Sequence, residues 1–224
     1  MKCLLCNTKV LEEPDLYKLL FRRDVKPHNI CGFCQTRFHF ISKEHCKYCF
    51  QNGDFNENIC FDCRNWEIQF DDFLQHTAWY TYNQYMHDFF RSYKRHGDVE
   101  LAKVFSYQIG ENDFFKQFDL ITYIPMSKAH QKERQFNPVK ELFKELPLEN
   151  IFEVARDTGA QAMKNRQERL NAPQKFKLIK EIDSSKKILI VDDIYTTGRT
   201  LNHARQCILD KYPKAEIETF SLVR

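Results

Sequence analysis

Hydrophobic positions change their spacing along the chain. Up to about residue 64 they are sparse and irregular, with no sustained helical or strand period. Residues 65–83 then hold an aromatic, β-prone stretch, HTAWYTYN, which predicts a strand or hairpin joining two parts of the molecule. In YMHDFFRSYKRHGDVELAKVFSYQI the apolar positions Met86, Phe89, Phe90 and Tyr93, then Leu101, Val104 and Phe105, recur at helical spacing, and Gly97 divides two helices. Beyond them the chain alternates. FDLITYIP reads as a strand, NPVKELFKEL as a helix and NIFEVA as a strand; a polar, basic segment runs to about residue 180. KILIVD then reads as a strand, Gly198–Lys211 as a helix and EIETFSLV as a final strand. Short apolar strands separated by helices predict an α/β fold: a mainly parallel sheet with helices on both faces and ligands at the carboxyl ends of its strands.

The pattern divides the chain into a cysteine-rich module, 1–66, and an α/β domain, 67–224, a division that 224 residues allow because a small module needs staples that a larger core does not. Hydrophobic residues make up 42% and charged residues 29%, as in ordinary soluble proteins, and a net charge of +3 is too small to name a partner. No run of about 18 apolar residues is present, so no transmembrane segment is expected. The chain reads as cytoplasmic, a location compatible with peripheral contact at the inner face of the membrane through partners.

Eight of the nine cysteines form four C-x-x-C pairs: Cys3/Cys6, Cys31/Cys34, Cys46/Cys49 and Cys60/Cys63. Each pair can turn two sulfurs toward one ion, and two pairs complete the tetrahedral thiolate shell that zinc prefers, so two structural zinc ions are expected. The other reading, a disulfide framework, suits a secreted chain better than one without a leader in a reducing compartment. Cys46, Cys49, Cys60 and Cys63 make the more compact set; the spacing also permits an interleaved sharing of pairs. Closed four-cysteine sites leave no open coordination position, which assigns them to structure or partner docking. The ninth, Cys207, falls in a helical pattern as a small buried hydrophobe.

The stretch ILIVDDIYTTGRT, residues 188–200, carries the candidate chemistry. A buried strand ends on Asp192 and Asp193, and a loop of Thr196, Thr197, Gly198, Arg199 and Thr200 enters the next helix. Hydroxyls and amides at a helix N-terminus suit a phosphate, whereas the two carboxylates suit neutral hydroxyls such as a ribose diol. Capping alone would explain one acid but not both.

These residues resemble the phosphoribosyl pyrophosphate (PRPP) loop of type I phosphoribosyltransferases, V-x-V-D-D-x-x-T-T-G-x-T. Four further stretches extend the resemblance over essentially the whole chain: CLLC, YNQYMHDFFRSYKRHGD, IPMSKAHQKERQFN and RDTGAQAMKNRQERLNAPQKF. Together they are similar to the ComF family of late competence proteins, which joins a zinc module to a phosphoribosyltransferase-like domain. Gln135 stands where that family usually has glycine, and His96 precedes Gly97 where the usual glycine is shifted.

The resemblance implies that Asp192 and Asp193 hold ribose hydroxyls and that Thr196, Thr197, Gly198, Arg199 and Thr200 hold the 5′-phosphate. Ser127, Lys128 and Arg134 would lie on the pyrophosphate side, Arg156, Arg166 and Arg169 in a lid, and Mg²⁺ would arrive with PRPP. It further implies single-stranded DNA binding during uptake in natural transformation, with a helicase-like competence ATPase and other DNA-processing competence proteins as partners. The alternative is an active phosphoribosyltransferase acting on an unidentified acceptor. Lys94, Arg95, Arg156, Lys164, Arg166 and Arg169 are the candidate DNA cations, with Tyr93, Trp79, Tyr80 and Tyr82 as candidate stacking platforms.

Overall fold

The computed structural model describes residues 1–10, 29–154 and 176–224. Cys31 precedes a short helix, α1 (Gly32–Gln35), and Cys60 is the N-cap of α2 (Phe61–Phe70). Strand β1 (His76–Tyr80) leads into α3 (Gln84–Arg95), where the Asn83 side chain accepts from the Met86 N–H at 2.8 Å, a cap worth about 1 kcal/mol. The helical spacing of Met86, Phe89, Phe90 and Tyr93 does bury all four. Gly97 follows the helix with φ 71°, the left-handed conformation that stops it.

A 3₁₀ turn (Val99–Val104), α4 (Ser106–Gly110) and a second 3₁₀ turn (Asp113–Gln117) lead to β2 (Leu120–Tyr123) and α5 (Lys128–Arg134). Next come α6 (Pro138–Leu142), capped by Asn137, and the short strands β3 (Leu148–Glu149), β4 (Phe152–Val154) and β5 (Phe176–Leu178). The long strand β6 (Lys187–Ile194), helix α7 (Arg199–Leu209) and strand β7 (Glu216–Val223) complete the order.

Five strands form one parallel sheet in the order β1-β7-β6-β2-β3. Alternation along β6 divides its side chains between two cores. Leu189 and Val191 join Met86, Phe89, Val139 and Leu142 on one face, while Ile188 and Ile190 join Leu201, Ala204 and Ile208 on the other. Burial on both faces is what makes KILIV read as a continuous apolar run.

Two anticipated elements are placed differently. HTAWYTYN does not merely join two parts: its strand is the edge of the main sheet, with His76 opposite Thr219 and Tyr80 opposite Val223. NIFEVA does not enter that sheet. Phe152–Val154 pairs antiparallel with Phe176–Leu178 in a separate ribbon, because of its three strand residues only Phe152 is buried, too little for a strand covered on both sides.

The cysteine groups are built into these layers. Cys46, Cys49, Cys60 and Cys63 share a core with Ile188 and Ile190, while Leu4, Leu5 and Ile30, beside the other cysteines, pack on the opposite core. The expected division at 66/67 falls inside α2.

Gln135 ends α5 at φ 62°, so this position makes the left-handed demand that glycine meets without strain. Gln135→Gly is therefore expected to stabilise the protein by about 1 kcal/mol, raising the thermal midpoint by about 2–4 °C in a reversible melt.

Candidate functional site

The sheet creates a crevice where strand order reverses. From β2 the chain passes through α6, on one face, to the outer strand β3; from β6 it passes through α7, on the other face, to β7. The adjacent strands β2 and β6 therefore lead away in opposite directions, and the space beyond their carboxyl ends is the kind of switch point at which open α/β sheets bind ligands. Asp192 and Asp193 lie at the end of β6, and the loop after β2 carries Ser127, whose hydroxyl caps α5 by accepting from the His130 N–H at 3.3 Å. Arg134 is half-buried at the far end of α5.

Strand alternation sends the two acids to opposite sides. Asp193 follows Leu189 and Val191 toward α3, and there its Oδ2 meets Lys94 Nζ at 2.8 Å. The Lys94 stem lies against the Phe90 ring, 4.8 Å from its centroid, so the ammonium approaches through an apolar layer. Asp192 faces the other core. Its Oδ1 accepts from the Asp193 N–H at 2.9 Å. Burial, then the charge of Asp193 beside it, pushes Asp192 up to about 7, with Lys94 opposing the shift. Near neutral pH this carboxyl can both donate to and accept from a hydroxyl.

The loop following the acids is sharply shaped. Gly198 has φ 77°, and any Cβ there would collide with the buried Tyr195 ring. The N-cap of α7 is Gly198, which has no side chain to cap the first turn, so among the described residues the helix start offers its amides beside the exposed Thr196 and half-buried Thr197 and Thr200. Arg199 is buried, its Nε 3.4 Å from His203 Nε2. The loop carbonyls are tied down from outside. Trp66 Nε1–H donates to the Thr197 carbonyl at 2.6 Å, and Arg224 Nη1–H to the Thr196 carbonyl at 2.9 Å. Neither residue was singled out from the sequence. Trp66 could have been, since it lies one helical turn beyond Cys63; nothing local marked Arg224.

Of the candidate DNA residues, Lys94 is engaged with Asp193, whereas Arg95 is exposed. Tyr93 is no platform: it is fully buried and its hydroxyl donates to the Pro138 carbonyl at 2.7 Å. Tyr80 is buried and Trp79 packs against Phe115 and Phe220, both serving as core, which leaves Tyr82 as the exposed aromatic of that group. Arg156, Lys164, Arg166, Arg169 and the side chain of Lys128 lie outside the described residues.

The cysteines gather in sequence order, Cys3 with Cys6, Cys31 and Cys34, and Cys46 with Cys49, Cys60 and Cys63, the sulfurs of each group within 4.8 Å of one another. Sulfur separations of 3.7 Å for Cys6–Cys31, 3.7 Å for Cys46–Cys63 and 3.5 Å for Cys49–Cys60 are far longer than a disulfide. They are close to the ~3.8 Å edge of a tetrahedron with 2.3 Å metal–sulfur bonds. Backbone N–H groups of Leu5 and Cys60 point at Cys3 and Cys46 sulfurs, at 3.5 and 3.4 Å, as suits thiolate acceptors. Both groups therefore fit a zinc module. The second is entirely buried; the first exposes Cys6.

A parallel sheet with a strand-end acidic pair, a threonine loop and a switch-point crevice defines a phosphoribosyltransferase-type domain, here carrying two tetracysteine groups. Residues 136–224 match the phosphoribosyl transferase domain family. The chain is 34% identical to competence protein ComFC of Streptococcus pneumoniae, with 100% of both chains covered. It is 28% identical to competence protein ComFC of Bacillus subtilis, covering 99% of this chain and 94% of that protein. It belongs to the ComFC family of competence proteins.

Two measurements follow from the acidic strand end. Lys94→Met is expected to destabilise the protein by about 3 kcal/mol by stranding Asp193, and Asp193→Asn in the same chain to restore over half of that, in a denaturant double-mutant cycle. Asp192 is protonated more readily folded than unfolded. Its contribution is therefore fully present below pH 3.8 and lost as pH rises through about 7. The stability of the wild type relative to Asp192→Asn should fall across that window, and a flat difference would contradict the shift.

Proposed function

We propose that the protein is a competence factor that binds single-stranded DNA during uptake and holds PRPP, or a related ribose phosphate, in the crevice beyond β2 and β6. The observation that carries the pocket is the joining of strand-end carboxyls to an uncapped helix start across one sharply turned loop. Asp192 would receive a ribose hydroxyl. Asp193 would do so while retaining or exchanging its Lys94 partner, 2.8 Å away. The amides and hydroxyls of Thr196 to Thr200 would take the 5′-phosphate, and Ser127, Lys128 and Arg134 the diphosphate side, with Mg²⁺ offsetting phosphate charge.

Zinc would fill both cysteine groups, supplying folding energy to residues whose apolar content is too sparse to fold them. Residues 1–66 and 67–224 then act as module and domain within one layered body, and the competence role rests on kinship with the two ComFC proteins. DNA contact would draw on Arg95, Tyr82 and the basic segment containing Arg156, Lys164, Arg166 and Arg169; a helicase-like ATPase and other competence proteins would be the partners. Among the described residues no helix is long and apolar enough to cross a membrane. A cytoplasmic location, at the inner face of the membrane through those partners, belongs to the same reading.

Calorimetric titration with PRPP and Mg²⁺ should show saturable binding weakened at least tenfold in Asp192→Ala; absence of binding by the wild type would sink the pocket. Affinity for a single-stranded oligonucleotide should fall as salt rises, because phosphate contacts release counterions. Elemental analysis should return two zinc ions per chain.

A further inference from the structure

The buried cysteine group lies directly beneath the threonine loop, and two side chains span the gap. Trp66 is one helical turn after Cys63 on α2 and is buried; its indole N–H donates to the Thr197 carbonyl at 2.6 Å. Arg224 is held by its backbone, with its N–H on the Tyr80 carbonyl at 2.9 Å and its own carbonyl accepting from Tyr82 at 3.1 Å. Its guanidinium forks. Nη1 donates to the Thr196 carbonyl at 2.9 Å, while Nη2 donates to Gln51 Oε1 at 2.9 Å and lies 3.6 Å from Cys49 Sγ. Asp62, between Cys60 and Cys63, adds a carboxylate at 3.9 Å, and the Tyr195 ring lies 4.7 Å below the guanidinium carbon.

Both bonds end on carbonyls of consecutive peptides. A trans peptide is planar, with its N–H opposed to its C=O. Holding the Thr196 and Thr197 carbonyls toward the cysteine group therefore turns the N–H groups of Thr197 and Gly198 away from it, to the side where an anion would collect amide donors. A flip of either peptide would replace a donor by a carbonyl oxygen and repel phosphate. Four thiolates around a divalent ion retain a net charge of about −2, which a guanidinium beside Cys49 partly offsets.

We propose that Trp66 and Arg224 are positioning residues that couple the Cys46–Cys49–Cys60–Cys63 centre to the phosphate loop by fixing the orientation of its two central peptides. The centre then sets the ligand-ready shape of the loop besides stapling the fold. The ligand part of this inference rests on the proposed pocket; the orientation part stands without it.

The test uses the zinc-loaded chain and two variants: Trp66→Phe, which keeps an aromatic ring in the buried site while deleting the indole donor, and Arg224→Gln. Backbone order parameters at Thr197 and Gly198 are expected to fall from about 0.85 to below about 0.6 in each variant, with two zinc ions retained. PRPP–Mg²⁺ affinity should weaken about tenfold in parallel. Chelator extraction should remove one of the two ions at least threefold faster from Arg224→Gln. Unchanged order parameters in Trp66→Phe would overturn the coupling. If the order parameters fall while the wild type binds no PRPP, the pocket assignment fails and the coupling stands.

Discussion

Like charges at the end of a buried strand set the terms for everything around this crevice. Two adjacent carboxylates repel each other, and both repel any phosphate brought near them. The chain resolves the conflict by geometry. Alternation along β6 places Asp193 on the α3 side, where Lys94 neutralises it, and Asp192 on the other, where burial favours its protonated form. The strand end can thus present hydroxyl-binding groups without the full negative field that two free carboxylates would create. In the proposed pocket a phosphate would be left to a loop whose donors are amides, hydroxyls and a helix start.

The cysteine groups serve the same layered arrangement. Small modules without an adequate core rely on metal, and such a module could have been a separate bead on a linker. Here the buried group instead supplies core surface to the α7 face of the sheet, and residues flanking the other group cover part of the opposite face. The sheet is gripped on both sides by segments whose own cohesion comes from thiolate geometry. The division expected at 66/67 accordingly meets a continuous helix, Phe61–Phe70.

Features with a local signature were legible in the sequence: four C-x-x-C pairs, the helical spacing of Met86, Phe89, Phe90 and Tyr93, and the passage from KILIV through two acids into a threonine loop. Each depends on residues within a few positions of one another. Where those elements sit in the fold depends on distant partners. HTAWY is an edge strand only because β7 lies beside it, NIFEVA was too short on inward-facing residues to enter the sheet, and Tyr93 spends its hydroxyl on Pro138. Lys94 was read as a candidate DNA cation and Arg224 carried no local mark, because their counterparts, Asp193 and the cysteine group, are remote in sequence.

The edge position of β1 has a consequence for how the molecule is made. Its neighbour in the sheet is β7, and His76 is bonded through its ring to Thr219, 143 positions later. On the ribosome, β1 must wait for its sheet neighbour until residues 216–223 have emerged. Loop closure over that span also makes this pairing slow relative to the local helices. Assembly order therefore runs against chain order: the first third of the protein is completed by its last strand.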